Sequence, residues 1–221
     1  MVETNSIVAV IVAICYAALP IKGHEVPLRG YECKQNAQQP CRLCEPGHYC
    51  QSETNKQSCG RAEFYCPLGS VLPTKVTDGY YTVNGADDEH RSDQKECEPG
   101  FYCSRGKKEI CPAGYYCPDA GMGYPTPCGD ANKFCKEGST QPEAVKTGYY
   151  SVDTDDGYQQ SKDETRRFDQ KEAPLGYYAK NGLLFECPEG HYGDTKGLSD
   201  DHCSGVCEEG WYCPKRSTSP R

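Results

Sequence analysis

The chain has 221 residues, 17 of them cysteine, and a formal net charge of -8. That balance excludes nucleic acid as a partner, because phosphates demand a basic surface that no stretch here supplies. From His24 onward only 22 residues are Val, Leu, Ile, Met or Phe, which excludes an ordinary hydrophobic core and leaves crosslinks to stabilise the fold.

In chain order, residues 7–19 (IVAVIVAICYAAL) come first. As a helix at about 1.5 Å per residue the run reaches roughly 20 Å, short of the roughly 30 Å hydrocarbon core of a membrane. With small residues behind it, the segment reads as a signal peptide cleaved between Ala18 and Gly23, and residues 1–23 are set apart on that basis. Cleavage removes Cys15 and leaves sixteen cysteines in a secreted, extracellular chain. An even count in an oxidising compartment implies disulfides.

Self-similarity divides the remainder into residues 24–96, 97–172 and 173–221. In the first copy, Cys33 and Cys41 precede a quartet of Cys44, Cys50, Cys59 and Cys66; the run Gly79-Tyr80-Tyr81-Thr82-Val83 and then Asp93-Gln94-Lys95-Glu96 follow. The second copy repeats this plan. Cys97 and Cys103 precede Cys111, Cys117, Cys128 and Cys135, then come Gly148-Tyr149-Tyr150-Ser151-Val152 and Asp169-Gln170-Lys171-Glu172. The first Gly-Tyr-Tyr run meets Asn84-Gly85 and the second leads towards Asp156-Gly157, so short β-hairpins with tight turns are expected.

The third copy is degenerate. Aligned on Asp-Gln-Lys-Glu, the first pair becomes Ala173 and Ala179, Cys187 and Cys203 match Cys111 and Cys128, and Gly193 and Gly210 stand for Cys117 and Cys135. Cys207 and Cys213, in CEEGWYC, look like the opening of a further unit, either bridged to each other or part of a longer chain. A bridge that disappears takes both cysteines with it. The paired losses therefore predict Cys44–Cys59, Cys50–Cys66, Cys111–Cys128 and Cys117–Cys135, a surviving Cys187–Cys203, and short loops closed by Cys33–Cys41 and Cys97–Cys103. Strictly neighbouring pairs, such as Cys44–Cys50 and Cys59–Cys66, are the rival connectivity. Pro and Gly interrupt every helical window after the signal. The expected fold class is small, disulfide-rich and mostly β: an elongated tandem array of short hairpin modules with little helix.

The stretches Cys-Pro-Ala-Gly-Tyr-Tyr-Cys-Pro (111–118), Cys-Glu-Pro-Gly-Phe-Tyr-Cys (97–103) and Cys-Pro-Glu-Gly-His-Tyr-Gly-Asp-Thr-Lys-Gly-Leu-Ser (187–199) resemble the ephrin-receptor-like cysteine-rich repeats. These are relatives of the growth-factor (EGF) and tumour-necrosis-factor-receptor modules and recur in secreted or surface proteins of protists and algae. The resemblance runs from Cys33 to the end of the chain. It implies small disulfide-bonded β modules serving adhesion, surface coats, extracellular filaments or receptor ectodomains. Ala173, Ala179 and Gly193 depart from the pattern.

Catalysis near neutral pH would be carried by histidine. His48 and His191 occupy a slot that holds Phe101, Tyr115 and Trp211 elsewhere, so the slot takes a flat ring; His24, His90 and His202 have no repeated nucleophile beside them. No enzymatic role and no cofactor are expected. Zinc-like spacings at Cys41/Cys44 and Cys203/Cys207 lack a second matching pair. The calcium candidates are Asp153, Asp155 and Asp156; they and the Asp87, Asp88, Glu89 run read as solvated hairpin tips, because neither supplies the closing bidentate Glu of a calcium loop. Tyrosines before cysteines shield bridges. One ring of each pair Tyr80/Tyr81 and Tyr149/Tyr150 faces outward, and these four with Trp211 are the interface candidates. Ser217, Thr218 and Ser219 could take O-linked sugar. Two functions follow: a structural protein that assembles with copies of itself or with other extracellular proteins, or a ligand-binding adhesion or receptor-like module.

Overall fold

The computed structural model describes residues 29–32, 41–153 and 165–221. Every regular element in these stretches is a strand, and each strand pairs antiparallel with its neighbour in sequence, giving a series of two-stranded ribbons with no larger sheet. The fold is a small, disulfide-rich β array, as the composition demands.

Its unit is shorter than the cysteine quartets suggest. A seven-residue turn, X-x-x-Gly-aromatic-Tyr-X, recurs at Cys44–Cys50, Cys97–Cys103, Cys111–Cys117 and Cys207–Cys213, and also without paired cysteines at 76–82, 145–151, 173–179 and 187–193. In each, the aromatic N–H donates back three residues, as from His48 to the Glu45 carbonyl and from Phe101 to that of Glu98. The intervening glycine sits at positive φ, +82° at Gly47 and +83° at Gly100. That is a type II turn, which requires a left-handed residue at its third position, and Pro46 and Pro99 pre-set the second. The turn brings its first and seventh residues together.

The bridges therefore close individual turns. Cys44–Cys50, Cys59–Cys66, Cys97–Cys103, Cys111–Cys117, Cys128–Cys135 and Cys207–Cys213 are the pairs, with Cα atoms 5.7 to 6.1 Å apart. The first-to-third and second-to-fourth pairing expected for the quartets is thus replaced by neighbouring pairs, while Cys97–Cys103 and Cys187–Cys203 stand as expected. Cys41 is disulfide-bonded, and the Cys33 half of the expected Cys33–Cys41 loop lies outside the described residues.

At five junctions among the described residues, backbone hydrogen bonds lock one turn to the next with a repeated bracket. Between turns 44–50 and 59–66 there are four: Gly47 N to Cys66 O at 2.8 Å, Cys59 N to Gly47 O at 2.9 Å, Gly69 N to Cys44 O at 2.8 Å and Cys50 N to Ser70 O at 2.9 Å. The same four recur between 97–103 and 111–117, between 111–117 and 128–135, between 173–179 and 187–193, and between 187–193 and 207–213. Among the described residues the main contacts of each ribbon are with its neighbours along the chain, the pattern of a one-dimensional array.

The bracket corrects the alignment of the third copy. Cys207 N donates to Gly190 O and Gly190 N to Cys213 O, as Cys128 N does to Gly114 O and Gly114 N to Cys135 O. The turn 207–213 is therefore the counterpart of 128–135, and Cys203 is an added cysteine rather than the match of Cys128. Gly193 stands where Cys117 would be, and a Cβ there would meet the Cys187 sulfur at 2.9 Å. Having lost its own partner, Cys187 bonds Cys203, 16 residues on.

The Gly-Tyr-Tyr runs form the expected strands, Tyr80–Val83 against Asp93–Glu96 and Tyr149–Val152 against Asp169–Glu172. The tight turn expected at Asn84-Gly85 does not form; residues 84–92 intervene, because the acidic run folds on itself and Ser92 ties the base through its Oγ to Asn84 O at 2.6 Å. Asp156-Gly157 lies outside the described residues.

Candidate interaction surface

A ribbon array this thin turns most of its side chains to solvent, so its surface is set by cross-strand neighbours. Tyr102 donates to Glu109 directly opposite, and Tyr49 to Gln57. The carboxylate beside Tyr102 raises that phenol's pKa, while burial, with Asp201 and Asp200, does the same for Tyr178.

At the junction after the first Gly-Tyr-Tyr run, Lys108 Nζ lies 4.1 Å from the centre of the Phe101 ring and 5.5 Å from that of Tyr81, and 2.6 Å from a Glu98 oxygen. Lys95 binds the other Glu98 oxygen at 2.7 Å. Hydrogen bonds from Lys108 and Lys95 hold the Glu98 carboxyl well below its ordinary range, at about 2.

The tyrosine candidates divide. Tyr80, Tyr81 and Tyr149 are half-buried, but Tyr150 is 2 % exposed and packs with Val152, Ala173, Ala179, Leu184 and Tyr177. Tyr150 is therefore a core residue and leaves the set of contact candidates. The reason lies across the junction, where Leu184 replaces Lys108 and Pro174 replaces Glu98, so an apolar neighbour buries the Tyr150 ring where a charged one leaves Tyr81 half-buried. Trp211 is exposed; Tyr212, expected from its place before Cys213 to shield a bridge, is 71 % exposed, and Val206, which sequence reasoning did not single out, is exposed as well.

The histidines settle into ring contacts. His48 and His90 lie 4.9 Å apart with His90 Nδ1 2.7 Å from Asp87 Oδ1, and His191 and His202 lie 6.4 Å apart edge to face. The flat-ring slot thus receives a second ring from a loop further along.

Asp87 also accepts from Glu89 N, and Asp88 pairs with Arg91 at 2.7 Å, so this acidic run is spent on its own loop. Its counterpart is described only at Asp153, which is half-buried; Asp155 and Asp156 lie outside the described residues. Asp200, Asp201 and His202 are exposed with ligand atoms within 4.8 Å of one another, and His202 is already engaged by both carboxylates. Cys41, Cys44, Cys203 and Cys207 are all in disulfides, and zinc is bound by thiolates. The Ser217 hydroxyl donates to Pro214 O, whereas Thr218 is exposed. Among the described residues no helix is long and apolar enough to cross a membrane. The disulfides place the chain in an oxidising environment.

Compared with known proteins, the chain matches no family model and no curated sequence.

Proposed function

We propose that the protein is a non-enzymatic, secreted structural component, a building block of an extracellular filament, coat or matrix that acts through repeated protein–protein contacts. The observation that carries this reading is the bracket of four backbone bonds repeated from turn to turn. A one-dimensional stack of self-complementary units carries its binding potential at its ends and along its faces. The ephrin-receptor-like resemblance of the turn sequences points the same way. The flat-ring use of His48 and His191 and the internal pairing of the acidic loop at 87–91 leave these groups engaged in packing rather than poised for chemistry.

Sedimentation velocity and negative-stain imaging of the oxidised, full chain test this. Concentration-dependent polymers are expected. Monodisperse rods at every concentration would contradict assembly and favour the ligand-binding alternative.

A further inference from the structure

Three hollows adjoin where turn 76–82 meets turn 97–103. The widest, about 740 Å³, is lined by Arg61, Glu63, Glu89, Arg105 and Lys107 among others. A second shares Glu63 and Arg105 with it and runs past Lys75 to Asp78. The third takes over at Asp78 and Ser104 and reaches Tyr124, which is 77 % exposed. Together they make one groove, whose largest part has the size of a ligand pocket. Among the described residues, the side chains of Arg61, Glu63, Lys75, Asp78 and Arg105 make no hydrogen bond or ion pair with the protein.

The fold does not require this lining. At the second junction the backbone is the same: Val145 N donates to Asn132 O as Val76 N does to Glu63 O, and Gly197 N to Ala173 O as Gly121 N does to Cys97 O. Yet Glu63, Asp78, Lys107 and Tyr124 become Asn132, Thr147, Leu183 and Asp200. Arg105 carries the sharpest contrast. It sits at φ +53°, in the left-handed region that arginine seldom adopts, whereas the second copy places Asn181 there at +54°, a residue type that region favours. A strained arginine where asparagine would be relaxed points to a use for its side chain. Gly123 is not demanded by packing either. A Cβ there would meet nothing nearer than 3.7 Å, and Ser199 stands at that place in the second copy, so the glycine leaves the groove clear beside Tyr124.

We propose that this groove binds an uncharged oligosaccharide chain. Groups of both signs, Arg61, Lys75 and Arg105 beside Glu63 and Asp78, suit a ligand whose every hydroxyl both donates and accepts. A polyanion would meet the carboxylates, and a polycation the guanidinium and ammonium groups. Guanidinium and carboxylate forks each have the geometry to engage two neighbouring hydroxyls. The exposed Tyr124 ring offers a flat apolar surface to the C–H face of a sugar while its own hydroxyl stays in water. A peptide fits less well, since its side-chain anchors need apolar pockets, and the other apolar side chains of the lining, Ala62, Val76 and Cys103, are buried. The site stands whether or not copies of the chain assemble.

The test is calorimetric titration of the oxidised, full chain with cellohexaose, xylohexaose, mannohexaose and N-acetylchitohexaose, and with a sulfated heparin hexasaccharide for comparison. Saturable one-site binding of at least one uncharged chain is expected. Two variants locate it. Tyr124→Ala removes the ring, and Asp78→Thr with Arg105→Asn gives the first junction the residues native to the second, so the turns keep a lining they already tolerate; an unchanged disulfide map and unfolding midpoint check that each variant is folded. Both are expected to bind the same sugar roughly tenfold more weakly. Failure of every uncharged chain to bind, binding of the heparin hexasaccharide alone, or an affinity unchanged in either variant would overturn the proposal. Sedimentation of the same samples reports assembly separately, so the two readings fail or survive apart.

Discussion

Two junctions built from the same template hold themselves together differently. In the first, turn 76–82 meets turn 97–103, which is closed by a disulfide and overlaid by the Glu98, Lys95 and Lys108 cluster. In the second, turn 145–151 meets turn 173–179, where Ala173 and Ala179 fill the place of the bridge and Tyr150, Leu184 and Val152 bury against them. The backbone is shared: Thr82 N and Ser151 N donate to Gly106 O and Gly182 O at 3.0 and 2.9 Å, and the hydroxyls of Thr82 and Ser151 donate to the carbonyls of Ala62 and Ala131. The comparison teaches that the turn geometry, rather than the sulfur, is the invariant. A disulfide and a small apolar cluster are interchangeable means of holding its two ends together.

The largest effect that would sharpen this contrast is removal of the bridge where no apolar cover exists. Cys97→Ala with Cys103→Ala is expected to lower stability by about 3 kcal/mol in chemical denaturation, although the same two residues are native at 173 and 179. No loss would mean that the charged cluster suffices by itself. The reciprocal change, Ala173→Cys with Ala179→Cys, is expected to form a bridge on air oxidation, seen as a loss of two hydrogens by intact mass, and to add about 2 kcal/mol for so short a loop. Free thiols at both positions would show that the two turns are not equivalent.

Smaller still is the side-chain contrast. Leu184→Ala is expected to cost about 2 kcal/mol as a core truncation, against at most about 1 kcal/mol for Lys108→Ala at the corresponding exposed site. Equal losses in thermal or denaturant unfolding would erase the distinction. The smallest effect is in pH. Glu98 is depressed from 4.5 to about 2 by Lys108 and Lys95, so its contribution is complete above the ordinary carboxyl range and fades as pH falls from about 4.5 to about 2. A carboxyl resonance titrating near 4.5 in the native protein would contradict the cluster.

Much of this was legible in the residues, and what was not has specific causes. The pairing of Gly-Tyr-Tyr with Asp-Gln-Lys-Glu followed from their joint recurrence. The turns at 76–82 and 145–151 were hidden because they carry Val, Thr and Ser where the eye follows cysteine, whereas the alignment had already set Ala173 and Ala179 against Cys97 and Cys103. The wrong connectivity came from one misplaced residue: with Cys203 set against Cys128, two losses looked like one lost bridge. The spacing of Cys207 and Cys213, identical to that of Cys111 and Cys117, marks the turn that belongs beside Cys187–Gly193. Tyr81 and Tyr150 occupy one slot in two copies, and only the residue across the junction, Lys108 or Leu184, decides which ring is covered.

Peptide mapping without reduction tests most directly the claim that neighbouring cysteines of each quartet pair, so that each of these bridges closes a single turn. Cleavage of the denatured, unreduced chain at Lys56 and at Tyr124 cuts between Cys50 and Cys59 and between Cys117 and Cys128. The peptides on either side are expected to separate, each carrying an internal disulfide. Peptides that stay joined across either cut, through Cys44–Cys59 or Cys111–Cys128, would contradict the account.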